Sequence, residues 1–306
     1  MNHSNHYHAK GKLLLFGEYF VLDGVPGLAV PSQRGQSLVT SSDAVQVKGL
    51  YWKSLNLKDE IWFEAYFDEH FGLLHGLQDE TAITLQKILQ AARQLNPNFL
   101  KDGLYHEAIT KLEFAQDSGL GSSSTLIHLI AQWAQVDAMQ LFFLSFPGSG
   151  YDIACAGAEG PILYRKTGQS ANWETKQLNW PWEQILFVHL GQKQNSREGI
   201  QRYRERSEML YTEREAMTQL VLEATKKQSA ADLAKLMQES EALIAQALGL
   251  STVQAARFSD FSGSIKSLGA WGGDYVMALG DSKESMKAYF LAKGLDRFLE
   301  ASDLMR

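Results

Sequence analysis

Two glycines and a run of four hydroxyl side chains stand together in the segment Ser118-Gly119-Leu120-Gly121-Ser122-Ser123-Ser124-Thr125. Glycine lets a backbone approach an anion closely and adopt dihedral angles that are closed to other residues. The free N–H groups of a first helical turn, together with the helix dipole, favour negative charge at the same place. The hydroxyls can cap such a helix, contact phosphate oxygens or reach a magnesium ion. The segment therefore predicts either a phosphate-binding turn or an ordinary capped loop, and its spacing matches neither the Walker loop nor the dinucleotide fingerprint.

The elements on both sides of this segment favour the first interpretation. Residues 105–114 alternate in polarity as a strand does, and residues 126–134 form an apolar run that is typical of a buried helix. A strand, a glycine-serine turn and a helix start, in this order, are suited to holding phosphate.

The rest of the chain predicts an α+β protein. The clearest patterns indicate strands at residues 8–16, 261–267 and 274–279, and helices at residues 81–95, 151–156 and much of 195–248. A strand-rich half followed by a helix-rich half with late strands is typical of the α+β class.

Composition excludes several classes of function. The 306 residues carry a net charge of −6, which argues against a general binder of nucleic acid or acidic membranes. No apolar run approaches the roughly 18–20 residues needed to span a bilayer. The first eight residues lack the apolar core of a secretory signal, so we expect a cytoplasmic protein. The single cysteine, Cys155, excludes an intrachain disulfide and a cysteine-based zinc cluster. We therefore expect small-molecule partners, no nucleic acid and no membrane, and the sequence is compatible with a homodimer.

Four glycine-marked segments, far apart in the sequence, share one explanation. They are residues 9–19, 119–124, 149–154 and 266–275. In this order they resemble the motifs of the GHMP kinases, the small-molecule kinases that include galactokinase, homoserine kinase, mevalonate kinase and phosphomevalonate kinase. Lys10 stands where that family usually has proline, and Trp271 replaces an expected glycine. The resemblance covers nearly the whole chain.

The resemblance implies the two-lobed α+β fold of that family. An N-terminal lobe similar to ribosomal protein S5 would comprise residues 1–165 and hold the ATP phosphate loop and the catalytic aspartate. A helix-rich, ferredoxin-like lobe would comprise residues 166–306 and hold the third glycine motif.

The resemblance also implies a role for each motif residue. ATP would be held by Gly119, Leu120, Gly121, Ser122, Ser123 and Ser124. Ser123 would in addition help to bind Mg²⁺. Asp152 would accept the proton of an alcohol substrate, and Lys12 would keep Asp152 ionised and stabilise the transferred group. The acceptor would contact Glu18, Tyr19, Arg197, Gly272 and Gly273. In isolation, Asp152 is typical of a helix N-cap and Lys12 of a solvated edge-strand lysine.

The motifs are most similar to those of kinases of the mevalonate pathway. Residues 150–154, Gly-Tyr-Asp-Ile-Ala, resemble a mevalonate-kinase-like group, whereas Gly272-Gly273-Asp274 is similar to phosphomevalonate kinase. We therefore expect ATP- and Mg²⁺-dependent phosphorylation of a small carboxylate-bearing metabolite on the route to isoprenoids, either mevalonate or 5-phosphomevalonate. Lys12 with Asp152 suits an alcohol acceptor that must lose a proton, whereas Asp274 favours a phosphate acceptor.

One departure from the family pattern keeps further functions open. Mevalonate kinase carries a magnesium-binding glutamate on the helix before its catalytic aspartate, but residues 141–144, which correspond to that place, contain no acid. The absence favours a phosphate acceptor, or a nucleotide-binding protein without turnover. A diphosphomevalonate decarboxylase also stays open, although the third motif is more similar to that of a kinase.

Overall fold

The computed structural model describes residues 4–44, 48–191, 196–269, 271 and 274–304, with residues 196 and 197 described by their backbone only. The chain packs as two compact units, each built from several segments. The first unit takes residues 1–11, 34–116 and 120–157, and the second takes residues 12–33, 117–119 and 158–306. The lobe boundary expected at residue 165 stays a prediction.

The first unit contains a mixed β-sheet. Its strands are β1 (Asn5–Phe16), β2 (Gly27–Asp43), β3 (Gly49–Leu55), β4 (Ile61–Phe67), β5 (Leu73–Gly76) and β6 (Tyr105–Leu112), of which β1 and β2 are shared with the second unit. The strand order is β5-β4-β3-β6-β2, with β1 also paired to β2. The pairs in this order are antiparallel except β3 with β6, which is parallel. The strands predicted at residues 8–16 and 105–114 are confirmed as β1 and β6.

Four helices complete the first unit: α1 (Glu80–Leu95), α2 (Ser122–Ala134), α3 (Ala138–Ser145) and α4 (Tyr151–Ala156). The helix α2 packs against the other three. The side chains of Asp79 and Asp137 cap α1 and α3 by accepting the N–H groups of Ala82 and Gln140. The helices predicted at residues 81–95, 126–134 and 151–156 are confirmed as α1, α2 and α4.

The second unit contributes six further strands: β7 (Ile162–Thr167), β8 (Ser170–Thr175), β9 (Ile185–His189), β10 (Ser264–Leu268), β11 (Tyr275–Leu279) and β12 (Phe298–Leu299). The first of them, β7, pairs antiparallel with Gly27–Ala29 of β2 and with β8. The other four form an antiparallel sheet in the order β10-β11-β9-β12. Every residue of β9, β10 and β11 is buried.

The helices of the second unit are α5 (Ser196–Arg204), α6 (Tyr211–Ala224), α7 (Ala230–Leu248), α8 (Val253–Arg257), α9 (Lys283–Ala292) and α10 (Ala301–Leu304), and short 3₁₀ turns occupy Phe20–Asp23, Trp182–Gln184 and Ser207–Met209. The helices α7 and α8 pack on β10, α9 packs on β9, and α6 packs on α7. An apolar core that includes Val188, Ile265, Val276 and Phe290 lies within this unit. The helices predicted over much of residues 195–248 are confirmed from Ser196 onward as α5, α6 and α7, and the strand predicted from residue 261 begins at Ser264.

The mixed sheets and helices confirm the α+β class. Among the residues that the structure describes, no helix is both long and apolar enough to cross a membrane.

Candidate active site

The predicted phosphate-binding turn leads directly into α2. Gly121 caps this helix with φ of 92°, a left-handed conformation that glycine adopts without strain. The Ser124 hydroxyl donates to the Gly121 carbonyl oxygen at 2.8 Å, and the Thr125 hydroxyl donates to Gln36 Oε1 at 2.6 Å. These two side chains are buried, whereas Ser122 is half-buried and Ser123 is exposed. Two of the four hydroxyls therefore stabilise the turn, and the other two belong to residues that are half-buried (Ser122) and exposed (Ser123).

The start of α2 fits a phosphate group. Its first intrahelical backbone bond runs from Thr125 N to the Gly121 carbonyl oxygen at 3.0 Å, so the three preceding N–H groups come before the helical hydrogen-bond ladder. Gly121 has no side chain to cap these N–H groups. N–H groups in this position, with the dipole of the 13-residue helix, attract an anion.

Asp152 lies in the same unit, in the first turn of α4. It is half-buried, and its Oδ1 accepts the N–H of Ile153 at 3.1 Å. The helix α4 packs against α2, and His128 of α2 lies so close to Gly157 that a Cβ atom there would be 2.5 Å from the His128 ring. Burial lowers the pKa of His128, which favours its neutral form. The first unit thus holds the predicted catalytic aspartate and the predicted phosphate-binding turn on two packed helices.

Lys12 belongs to the second unit, where it contacts the first glycine of the turn. Its Nζ donates to the Gly119 carbonyl oxygen at 2.9 Å. Gly119 has φ of 69°, and a Cβ atom on it would lie 2.4 Å from Cγ of Asp274. Any larger residue would therefore displace Asp274 or the turn. Lys12, Gly119 and Asp274 form one group within the second unit.

Glu18 lies in a buried ion-paired cluster. Its Oε1 accepts a hydrogen bond from Lys266 Nζ, and the two side chains are 2% and 0% exposed. Glu241 Oε1 accepts the N–H of Ser267 at 2.8 Å, and its charge interacts with those of Lys266 and Glu18. Burial raises the pKa of Glu18, and it raises that of Glu241 to about 7, because Lys266 offsets only part of the desolvation of two carboxylates. The predicted acceptor contact of Glu18 stays a prediction, and the structure gives this side chain a role in joining β10 to the segment after β1.

Tyr19 occupies a strained position next to this cluster. Its φ is 61°, which is uncommon for a residue other than glycine. Its hydroxyl oxygen accepts the N–H of Trp271 at 2.8 Å, and a Cβ atom on Gly199 would lie 2.4 Å from the same oxygen. Burial raises the pKa of Tyr19 to about 12, so the hydroxyl stays protonated. Tyr19 therefore contacts α5 and the residue that precedes the Gly272-Gly273 pair.

Three predicted acceptor contacts cannot be compared with the structure. Gly272 and Gly273 lie outside the described residues, and so does the side chain of Arg197. Lys266 and Glu241, by contrast, were not predicted. Lys266 follows an isoleucine within a buried strand and Glu241 lies on a polar-looking helix, so neither has a local pattern that would indicate an ion pair.

The described residues could supply only a small part of the ligands of a Mg²⁺ ion. Within the described ranges, no group of three or more His, Cys, Asp or Glu side chains could hold a metal ion. The helix α3 contains no acidic residue. The exposed Ser123 hydroxyl remains able to reach a cation, so Mg²⁺ would be held mainly by the phosphate oxygens of a bound nucleotide.

Comparisons with known proteins place this geometry in a known fold. No protein-family model and no curated protein matches the sequence. Streptococcus pneumoniae phosphomevalonate kinase in complex with phosphomevalonate and AMPPNP is 17% identical with a TM-score of 0.69, covering 97% of this chain and 99% of that one. Methanococcus jannaschii mevalonate kinase is 14% identical with a TM-score of 0.66, covering 98% and 97%. Lactococcus lactis galactokinase complexed with galactose is 13% identical with a TM-score of 0.67, covering 97% and 92%.

At these identities the likeness concerns the fold. The chain has the GHMP kinase fold, as its motifs predicted. The solved structures that share it thus include a mevalonate kinase, a phosphomevalonate kinase and a galactokinase.

Proposed function

We propose that the protein is a GHMP-type kinase that transfers the γ-phosphoryl group of ATP to mevalonate or 5-phosphomevalonate. The observation that carries this proposal is the first turn of α2. There, an αL glycine, the exposed Ser123 and N–H groups without a side-chain cap are suited to binding phosphate oxygens. The nucleotide and acceptor in the S. pneumoniae phosphomevalonate kinase complex support the same use of this fold.

Each proposed catalytic residue has a defined task. An acceptor oxygen attacks the γ-phosphorus, the bond from that phosphorus to the ADP oxygen breaks, and ADP leaves. With an alcohol acceptor, Asp152 takes the proton that the hydroxyl loses. Lys12, whose Nζ donates to the Gly119 carbonyl oxygen, would stabilise the transferred group by its positive charge. Mg²⁺, when bound, would neutralise charge on the β- and γ-phosphates, with Ser123 as the protein contact.

The contacts of Tyr19 support an acceptor subsite in the second unit. Tyr19 accepts the N–H of Trp271 and packs against Gly199, which follows Arg197 closely in the sequence. The sequence predicts acceptor contacts at Arg197, Gly272 and Gly273. Tyr19 would hold the described residues Gly199 and Trp271, which lie close to these positions in the sequence.

One assay separates the proposed kinase from a decarboxylase, a sugar kinase and a protein that only binds nucleotide. Purified protein is incubated with ATP, Mg²⁺ and mevalonate, 5-phosphomevalonate, 5-diphosphomevalonate or galactose, and ADP and carbon dioxide are measured. We expect ADP with mevalonate or 5-phosphomevalonate and no carbon dioxide. Carbon dioxide from 5-diphosphomevalonate would identify a decarboxylase, and ADP formed only with galactose would identify a sugar kinase. ATP binding without ADP would indicate a nucleotide-binding protein without turnover, and the lack of an acidic residue in α3 would then explain the missing activity.

A further inference from the structure

A cavity of about 250 Å³ lies within the first unit, at the end of α1. Arg93, in the last turn of this helix, forms part of its wall. Asn96, the residue that follows α1, donates from Nδ2 to the carbonyl oxygen of Ala134 at 2.8 Å, and Ala134 is the last residue of α2. A helix rises about 1.5 Å per residue, so the first turn of α2 lies about 18 Å from Ala134. The cavity is therefore separate from the predicted phosphate-binding turn.

The guanidinium group of Arg93 is fixed at the wall of this cavity. Its Nε donates to the Phe99 carbonyl oxygen at 2.9 Å, its Nη2 donates to the Leu100 carbonyl oxygen at 3.0 Å, and its Nη1 donates to the Glu69 carbonyl oxygen. The group lies over the Phe71 ring, 3.9 Å from its centre. These bonds use three of the five N–H donors of the arginine, and no carboxylate of the described residues forms an ion pair with it. Arg93 thus places a fixed positive charge and two further donors at the cavity.

Two lysines line the same cavity. Lys48 and Lys101 are exposed, and within the described part of the chain neither side chain has a hydrogen bond or an ion pair. A Cβ atom on Gly103 would lie 3.7 Å from Lys48 Nζ, so this ammonium group stands beside the loop that Arg93 holds through the Leu100 carbonyl. Three cations therefore surround one small space.

The acidic residues of the wall already have partners. Asp68 Oδ1 accepts two backbone N–H groups, each at 2.7 Å. Glu69 Oε1 lies 3.7 Å from His70 Nε2. His106, which also lines the cavity, is bound through Nε2 to Asp102 Oδ1 at 2.8 Å. The three cations of the wall outnumber its two carboxylates, in a chain whose net charge is −6.

We propose that this cavity binds a small polyanionic metabolite, whose phosphate or carboxylate groups are held by Lys48, Lys101 and the two further donors of Arg93. Arginine and lysine donors form strong, charge-assisted hydrogen bonds with such groups. The volume of about 250 Å³ is just below the roughly 300–1,000 Å³ of most ligand pockets, so it suits a compact metabolite rather than a whole nucleotide. Leu50 and Leu104 line the rest of the wall and would contact the apolar part of the ligand. The proposal does not depend on the proposed kinase function.

Calorimetric titrations with inorganic pyrophosphate and with citrate test this site directly. They are made without Mg²⁺ and with ADP present, so that the proposed nucleotide site is occupied. We expect one or both anions to bind, and the affinity to fall about 10-fold in Lys48→Gln/Lys101→Gln, because hydrogen bonds to charged groups are lost. Binding should also weaken as the salt concentration is raised. Binding of pyrophosphate alone would assign a phosphate ligand and binding of citrate alone a carboxylate, and either result supports the site.

Lys58→Gln is the matched control. Lys58 is exposed in the same unit but does not line the cavity, so its substitution should leave the affinity unchanged. No binding of either anion would overturn the proposal. Equal affinities of the double lysine variant and wild type would also overturn it, because the anion would then bind elsewhere.

Hydrogen exchange locates the bound anion by a second route that needs no variant. In the wild-type protein, the anion should slow exchange at residues 100–104 and leave residues 122–125 unchanged. Slowing confined to residues 122–125 would place the anion at the phosphate turn and contradict the proposal. The double lysine variant should unfold at the same urea concentration as wild type or a slightly higher one, since both side chains are exposed and their removal relieves repulsion of Arg93. A loss of binding in that variant can then be assigned to the lysines themselves.

Discussion

Around the first turn of α2 the first unit presents neutral groups, whereas next to Tyr19 the second unit buries three charged side chains. The turn uses backbone N–H groups and hydroxyls that are close in sequence, and most of its hydrogen bonds span three or four residues. The cluster of Glu18, Lys266 and Glu241 joins side chains from three distant parts of the chain. Neutral donors cost little to desolvate, while buried charges cost several kcal/mol each before pairing offsets that cost.

The comparison suggests different roles for the two regions. An open turn of neutral donors can exchange water for phosphate without rebuilding its surroundings, as a substrate site must. A buried ion pair is a poor substrate site but fixes the relative position of the segments that carry it. We therefore expect substitutions in the first unit's site to affect turnover, and substitutions in the cluster to affect folding.

The largest expected effect is that of Asp152→Asn on turnover. If Asp152 is the general base for an alcohol acceptor, its loss should lower kcat by a factor of about 10²–10⁴. Binding of ATP should be retained, because the amide preserves the shape of α4. Steady-state ADP release and direct nucleotide titration measure the two quantities. Asp43→Asn, at the exposed end of β2, is the matched control. Equal kcat values for Asp152→Asn and wild type would exclude Asp152 as the general base.

The second largest effect should be on stability. Lys266→Met leaves Glu18 and Glu241 buried without their cation, and breaking one side of a buried ion pair costs about 3–5 kcal/mol. Urea denaturation should show this loss as a lower midpoint. The double variant Glu18→Gln/Lys266→Met removes both members of the ion pair and leaves only Glu241 without its cation, so it should recover part of the loss. Lys235→Met, which removes an exposed pair with Glu239, is the control. A similar small loss of stability in both lysine variants would mean that burial does not make the Lys266 charge important for stability.

These two regions also differ in how well the sequence predicts them. The turn, α2 and Asp152 were found because glycines, hydroxyls and helical periodicity act over a few neighbouring residues. The partner of Glu18 lies 248 residues away, and nothing local distinguishes Lys266 as a cation that would be fully buried.

The secondary structure, too, was predicted best where it depends on neighbouring residues and least well where it depends on distant ones. The helix α1 begins at Glu80, one residue before the predicted start, because Asp79 caps it. The apolar run at residues 141–146 belongs mostly to α3, where its burial comes from packing on α1, α2 and α4. The hairpin strand β8 was not predicted, since it is largely exposed and lacks an apolar face. Exposed edge strands depend on a neighbour for their hydrogen bonds rather than on their own pattern.

A smaller effect should appear in the pH dependence of stability. The pKa of Glu241 is raised from 4.5 to about 7 in the folded protein. Between these values the folded state holds a proton that the unfolded state releases, so this carboxyl's contribution to stability falls as the pH rises from 4.5 to 7. The full decrease is about 3 kcal/mol. The free energy of unfolding, measured with urea over this pH range, should fall more steeply for wild type than for Glu241→Gln, with exposed Glu239→Gln as control. Equal slopes for all three proteins would mean that other groups cause the pH dependence.

The smallest effects should divide the hydroxyls of the turn itself. Ser124→Ala removes the bond to the Gly121 carbonyl and should cost about 1 kcal/mol of unfolding free energy. Ser123→Ala removes an exposed hydroxyl and should leave stability unchanged, but the Mg²⁺ concentration for half-maximal activity should rise about 2–10-fold. Urea denaturation and magnesium titrations of ADP release measure the pair. An unchanged magnesium titration in Ser123→Ala would exclude Ser123 from binding the metal. A loss of stability as large as that of Ser124→Ala would mean that Ser123 also stabilises the turn.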